Sequence, residues 1–175
     1  MTLPESRAET YRISLVCLGN ICRSPMAEAV LRARLSDAGL DGRVCVDSAG
    51  TGSWHVGEPA DPRARAALRR RGYDGDAHRA RQFGPSWFDS RDLVLALDHA
   101  NLETLIRLAP TPDAARRVRL LRAFDPSVTR PDDQAVPDPY YGTDADFDAG
   151  LDVIERAADE LVTALRGHLG IGQAG

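Results

Sequence analysis

Ile13-Ser14-Leu15-Val16-Cys17-Leu18-Gly19-Asn20-Ile21-Cys22-Arg23-Ser24-Pro25 holds a strand, a turn and a helix entry in succession, and the class of the fold follows from it. Ile13 to Leu18 is a short, mostly apolar run that stops at Gly19-Asn20, the outline of a buried strand entering a turn. Ser24-Pro25 then reads as a helix entry, serine as the cap and proline in the first helical position, with Glu28 adding an acid to the first turns. The helix is expected to run to about Ala38, burying Ala27, Val30, Leu31, Leu35 and Ala38, with Gly39 ending it.

Working outward, Val44 to Ser48 reads as a second strand and Ala49 to Gly57 as a Gly-rich loop. Asp61-Pro62 caps a helix to about Arg71, closed by Gly72. Leu93 to Leu97 is the most apolar strand candidate, followed by a helix over Asp98 to Leu108. Val118 to Leu121 is a fourth strand candidate, Phe124 to Gly142 a polar, Pro-rich loop, and Asp146 to Leu169 a final amphipathic helix. Strands alternating with helices predict an α/β fold: one domain with a central four-stranded parallel sheet and helices on both faces. A phosphate-binding loop would join the first strand to the first helix, beyond a strand's carboxyl end.

The 175 residues suit one domain with a core of its own, assigned to residues 12–170 behind a flexible polar leader over 1–11. All 22 basic residues are arginine, and the formal net charge of -4 argues against a nonspecific nucleic-acid binder, so any anion site must be local. The run Arg69-Arg70-Arg71 reads as a solvated helix face. Three cysteines, Cys17, Cys22 and Cys45, make no secreted disulfide framework. With no signal-peptide pattern and no apolar run of spanning length, a cytoplasmic protein without membrane contact is expected. Cys45, inside a strand pattern, is expected in the core.

The chemistry lies in Cys17 and Arg23, five residues intervening, followed by the hydroxyl of Ser24. With these residue frequencies such a pattern arises by chance roughly 0.04 times per chain, and less often between a strand and a helix. Leu18, Gly19, Asn20, Ile21 and Cys22 give the backbone enough length to curl round a tetrahedral oxyanion. Gly19 permits a tight turn, and Asn20 is the non-glycine residue that best tolerates a left-handed conformation. Arg23 offers a planar fork for two phosphate oxygens. A thiol at the bottom of that cradle feels the helix N-terminus and Arg23, which both favour negative charge. Ser24 can donate a hydrogen bond to its sulfur. Such a thiolate attacks phosphorus in line and forms a cysteinyl-phosphate.

A departing alkoxide or phenolate then needs a proton from a carboxylic acid on a neighbouring loop. Asp138, between Pro137 and Pro139 and before Tyr140-Tyr141, is the best candidate, with Asp132, Asp133 and Asp144 as rivals. Ionised after the first step, the same group serves as base towards water.

These residues resemble the low-molecular-weight protein tyrosine phosphatases, through Val16 to Pro25 and the distant Asp138-Pro139-Tyr140. Asp47 to Thr51, Trp54 to Gly57, His78 to Arg81 and Leu97 to Asn101 fall in the family's order, so the resemblance covers about Ile13 to Leu169. It implies hydrolysis of protein phosphotyrosine without metal or cofactor, with Cys17 as nucleophile, Arg23 as phosphate clamp, Ser24 as thiolate partner and Asp138 as general acid. It also implies that Asn20, Ser48 and His78 hold the cradle, and that Trp54, Tyr140 and Tyr141 wall the cleft. From the residues alone, His78 reads equally as an exposed loop residue and Trp54 as core. The implied partners are phosphotyrosine proteins, with inorganic phosphate as product and a monomer or weak dimer as the working unit.

Cys22 reads either as a thiol that traps an oxidised Cys17 or as a small side chain filling the back of the cradle. Three other functions compete. Arsenate reduction on this fold needs a later cysteine pair, and no cysteine follows Cys45. Phosphoarginine phosphatases of this type look different before the second cysteine, with threonine where this chain has Ile21. A noncatalytic phosphate-binding module would be expected to lack Cys17 or Asp138.

Overall fold

Apolar runs without polar alternation need cover on both sides, and a parallel sheet between two helical layers supplies it. In the computed structural model, which describes residues 1–171, four parallel strands form one sheet. They are β1 (Tyr11–Cys17), β2 (Val44–Gly50), β3 (Leu93–Ala96) and β4 (Val118–Leu120), ordered β2-β1-β3-β4. The helices α1 (Arg23–Asp37), α2 (Pro62–Arg70) and α5 (Asp144–His168) pack against one another on one face. On the other face lie α3 (His99–Leu108) and the short α4 (Pro112–Arg116).

Strand alternation divides the core accordingly. Ile13, Leu15, Leu93 and Leu95 enter the larger hydrophobic cluster with Met26, Leu31, Phe147 and Leu161. Val16, Val94 and Ala96 enter the smaller one with Phe83, Phe88 and Leu105. Tyr11, Ile13 and Leu15 face the larger cluster and alternate with exposed Arg12 and buried Ser14; only from Leu15 to Cys17, where both faces are covered, is β1 continuously apolar. Because α1 follows β1 on one face and α3 follows β3 on the other, a crevice opens between these neighbours beyond their carboxyl ends.

Several boundaries differ from the sequence reading, for physical reasons. Helix α1 starts at Arg23 with Cys22 as its N-cap and no side-chain cap, so Ser24 lies inside the first turn and its hydroxyl is used elsewhere. Glu28 lies beyond that first turn. Strand β2 runs two residues past Ser48, because Val16 and Cys17 still pair with Ala49 and Gly50. Helix α5 begins at Asp144, set by a capping box between Thr143 and Asp146. The expectation for Cys45 is corrected: it is exposed, since it sits early on the edge strand, on the face where α3 and α4 cover β3 and β4 instead.

Residues before β1 form no helix or strand, yet they touch the body at several points. Leu3 is only 5% exposed, and the Tyr11 hydroxyl donates to the Pro4 carbonyl at 3.0 Å. Asp92 accepts from the Arg7 and Arg12 backbone N–H groups at 2.9 and 2.8 Å.

Candidate active site

The turn after β1 is built round one strained residue. Asn20 has φ of 57°, and it alone among the described non-glycine residues lies in the left-handed region. That conformation brings the Asn20 N–H to 3.3 Å from Cys17 Sγ and commits the Asn20 side chain to the interior. Its amide nitrogen donates to Ser24 Oγ at 2.8 Å and to Ser48 Oγ at 3.0 Å, while its amide oxygen accepts from the Arg81 N–H at 2.9 Å. The Asn20 carbonyl accepts from His78 Nε2 at 2.7 Å, which fixes the proton on that nitrogen.

Proton directions follow from this network. Ser24 Oγ already accepts from Asn20, so its own proton has two acceptors within reach, Cys17 Sγ at 3.0 Å and the more distant Ala49 carbonyl at 3.5 Å. Ser48 Oγ accepts from Asn20 and donates to the Glu28 carboxylate. Burial holds His78 below the usual histidine range, against the opposing pull of the Asn20 carbonyl and Glu28. Its ring is therefore neutral at pH 7 and braces the turn as a hydrogen-bond donor.

The end of β2 presses on the back of the same turn. The Thr51 and Gly52 N–H groups donate to the Cys17 and Leu18 carbonyls, both at 2.9 Å. A Cβ on Gly50 would lie 2.7 Å from the Leu18 carbonyl oxygen and 3.2 Å from the Asn20 nitrogen, so only glycine fits.

Arg23 is 3% exposed and reaches into the crevice. One terminal nitrogen donates to Asp98 at 2.6 Å and to the Val136 carbonyl at 3.1 Å; the other lies 3.5 Å from Asp138. Burial would weaken the guanidinium's charge, but Cys17, Asp98 and Asp138 outweigh it and raise the pKa of Arg23 above the usual arginine range. Burial, reinforced by Asp61 and Cys17, pushes the Cys22 thiol far up, so it stays protonated at neutral pH.

Above the turn lies a cavity of about 230 Å³ lined by Cys17, Leu18, Gly19, Ile21, Cys22, Arg23, Trp54, His55, Asp138, Tyr140 and Tyr141. Asp138 is about half exposed at its mouth, its carboxylate accepting from the Tyr140 N–H at 3.2 Å. Trp54 is 70% exposed, which removes the core reading, and Tyr141 is 96% exposed. The sequence-derived residues thus fall into two shells. Cys17 to Arg23 (Asn20 apart), Trp54, Asp138, Tyr140 and Tyr141 line the cavity, whereas Asn20, Ser24, Ser48 and His78 lie behind it.

Three further residues belong to the arrangement. His55 lines the cavity, 3.1 Å from where a Gly19 Cβ would be, and its Nδ1 meets Glu58 at 2.7 Å. Nothing local in Trp54-His55-Val56-Gly57 signals that role. Asp98 was read as the first residue of a helix; in the structure it is the cap of α3, accepting from the Asn101 N–H at 2.7 Å, and its second oxygen holds Arg23, which nothing in the sequence signalled. Glu28 joins through Ser48, a contact 20 positions away.

A thiol on the cavity floor, an uncapped helix start, a buried arginine and a carboxyl at the mouth together suit nucleophilic attack on a tetrahedral oxyanion ester. Comparison with known proteins agrees. Residues 12–169 match the model of the low molecular weight phosphotyrosine protein phosphatases. A low molecular weight protein-tyrosine-phosphatase of Streptomyces coelicolor is 57% identical, the match covering 90% of this chain and 94% of that one. Low molecular weight protein-tyrosine phosphatase A of Mycobacterium tuberculosis is 47% identical over 88% of this chain and 91% of its own. The crystal structure of a protein tyrosine phosphatase from Entamoeba histolytica superposes with a TM-score of 0.85 at 34% identity, covering 90% of this chain and 98% of that one. Identity of this extent over nearly the whole chain, on the same fold, leaves one assignment: the chain belongs to the low molecular weight phosphotyrosine protein phosphatase family.

Proposed function

We propose that the chain hydrolyses protein phosphotyrosine through a phosphocysteine at Cys17. The observation that carries this reading is the position of Cys17 Sγ on the cavity floor, 3.0 Å from Ser24 Oγ and 3.3 Å from the Asn20 N–H, with Arg23 and Asp138 lining the same space.

In the first step the Cys17 thiolate attacks phosphorus, and the bond between phosphorus and the tyrosyl oxygen breaks. Asp138 gives its proton to the departing phenolate. The cradle's N–H groups and Arg23 hold the equatorial oxygens, where charge gathers in phosphoryl transfer. Trp54, Tyr140 and Tyr141 flank the substrate ring, and a slot of this depth favours a phosphotyrosine over the shorter phosphoserine side chain. In the second step the Asp138 carboxylate takes a proton from water as its oxygen attacks phosphorus. The bond to sulfur breaks, Ser24 donates to the returning thiolate, and inorganic phosphate leaves.

Cys22, buried and five positions from Cys17, is the thiol placed to condense with a sulfenic acid at Cys17, its proton and the Cys17 hydroxyl leaving as water, and the disulfide so formed shields Cys17 from further oxidation. Three free cysteines fit work in a reducing cytoplasm, and the family resemblance is what supports a signalling hydrolase working as a monomer or weak dimer. The catalytic unit is residues 12–170 together with Tyr11, which opens β1 and is fully buried; the rest of the leader lies outside it.

The test is hydrolysis of phosphotyrosine, phosphoserine and phosphoarginine peptides in reductant and chelator, by the wild type and Cys17→Ser. Turnover confined to phosphotyrosine and lost in the variant is expected. Equal turnover of phosphoarginine, or substantial activity in the variant, would overturn the reading.

A further inference from the structure

Between the cradle and the loop bearing Asp138 stands one side chain that neither the mechanism nor the motif uses. Arg63, in the first turn of α2, forms a fork with Asp61, its Nε at 3.1 Å and its Nη2 at 2.9 Å from the two carboxylate oxygens. Asp61 is fixed at both ends. Its backbone N–H donates to the Ile21 carbonyl of the cradle at 2.8 Å, and its carboxylate caps α2 by accepting from the Arg63 N–H at 2.8 Å.

With one edge held, the guanidinium turns its face to aromatic rings. Its central carbon lies 5.7 Å from the centroid of Tyr140 and 4.8 Å from that of Phe147 on α5, within cation–π range of both. The remaining nitrogen, Nη1, approaches the Gly142 carbonyl at 3.5 Å. Tyr140 and Gly142 belong to the turn that carries Asp138: the Tyr140 N–H donates to Asp138, and the Gly142 N–H donates to the Pro139 carbonyl at 2.8 Å.

We propose that Arg63 is a positioning residue for proton donation, tying the Asp138 turn to the phosphate cradle through Asp61. It does not line the cavity, so it acts through Tyr140 and Gly142 rather than on the substrate. The inference rests on Asp138 as the general acid. Asp138 is about half exposed, and its other anchor, Arg23, turns to the phosphate during turnover, which leaves the Arg63 brace to keep the turn in place.

The experiment compares kcat/KM for phenyl phosphate, a poor leaving group that needs the acid, with 2,4-dinitrophenyl phosphate, which does not. It uses the wild type, Arg63→Met, Arg63→Lys and Asp61→Asn, each on its own and in the Asp138→Asn background. In Arg63→Met and Asp61→Asn the phenyl to dinitrophenyl ratio is expected to fall roughly tenfold, a part of the whole general-acid contribution. Arg63→Lys should fall between, keeping the charge without the fork. In the Asp138→Asn background none of the three should lower the ratio further. A ratio unchanged by Arg63→Met and Asp61→Asn, even with lower melting temperatures, would overturn the inference and leave Arg63 as a brace of α2 alone. A ratio unchanged by Asp138→Asn itself would instead remove the general acid on which it rests.

Discussion

Asn20 shows how a single residue's backbone and side chain divide two tasks. Its left-handed φ turns the chain, and its amide distributes protons so that Ser24 is left with one for Cys17. Asn20→Gly keeps the turn and loses the amide, whereas Asn20→Ala also adds backbone strain of roughly 1 kcal/mol or more. Both variants should lose activity, and Asn20→Ala should melt lower than Asn20→Gly; equal melting temperatures would show that backbone strain plays no part. At the same scale, Asp138→Asn should slow phenyl phosphate roughly a hundredfold or more and dinitrophenyl phosphate far less. An equal loss on both substrates would point to another acid. The tolerance of asparagine for this conformation was legible from its type, as was the pairing of Cys17 with Arg23 from their spacing. The hold of Asp98 on Arg23 was not, because 75 positions separate them and no local pattern records a long-range ion pair.

Elements were legible where local chemistry is strong and blurred where pairing decides. Asp61-Pro62 marked the start of α2 and Asp98 that of α3, since each cap is made within three residues. The two added residues of β2 and the short α4 were not marked: pairing to β1 sets the first, and five residues carry too little periodicity for the second. The link between α5 and the turn at Asp125, after β4, gives a prediction at this scale. Asp125, 2% exposed, takes the Ser127 N–H at 3.0 Å and hydroxyl at 2.6 Å, and pairs with Arg122 and with Arg156 of α5, both at 3.3 Å. Burial would raise its carboxyl, but Ser127, Arg156 and Arg122 outweigh that and lower it to about 2. Because the folded value lies below the unfolded one, the unfolded chain takes up the proton first as the pH falls. Stability present above about pH 4 is therefore lost towards pH 2, roughly 2 kcal/mol in all. Denaturant melts should show Asp125→Asn less stable than wild type at pH 6, with the gap narrowing by pH 3. A gap independent of pH would contradict this account.

For the whole molecule, sheet order does what no single element does: it sets two helices on opposite faces of neighbouring strands and places the cradle in the crevice between them. The α/β class and the position of the cradle were legible because β1 and α1 adjoin in sequence. The convergence of Trp54 and Asp138 on one cavity was legible only through the family resemblance, and the place of His55 there was not legible at all, since both depend on how distant loops pack. The leader belongs to this scale too. Burying Leu3 is worth roughly 1.5–3 kcal/mol. Deleting residues 1–8 should then lower the melting temperature by a few degrees for a chain of this size while kcat/KM on an aryl phosphate stays the same. An unchanged melting temperature would mean that those contacts add nothing to stability.

The central claim is that phosphorus passes through the sulfur of Cys17. Asp138→Asn, mixed with dinitrophenyl phosphate, should form the intermediate quickly and hydrolyse it slowly, so an alkaline denaturing quench followed by peptide mass spectrometry will catch it. One phosphoryl group on the peptide containing Cys17, absent when Cys17→Ser is added, is the expected result; a phosphoryl group on any other residue would contradict it.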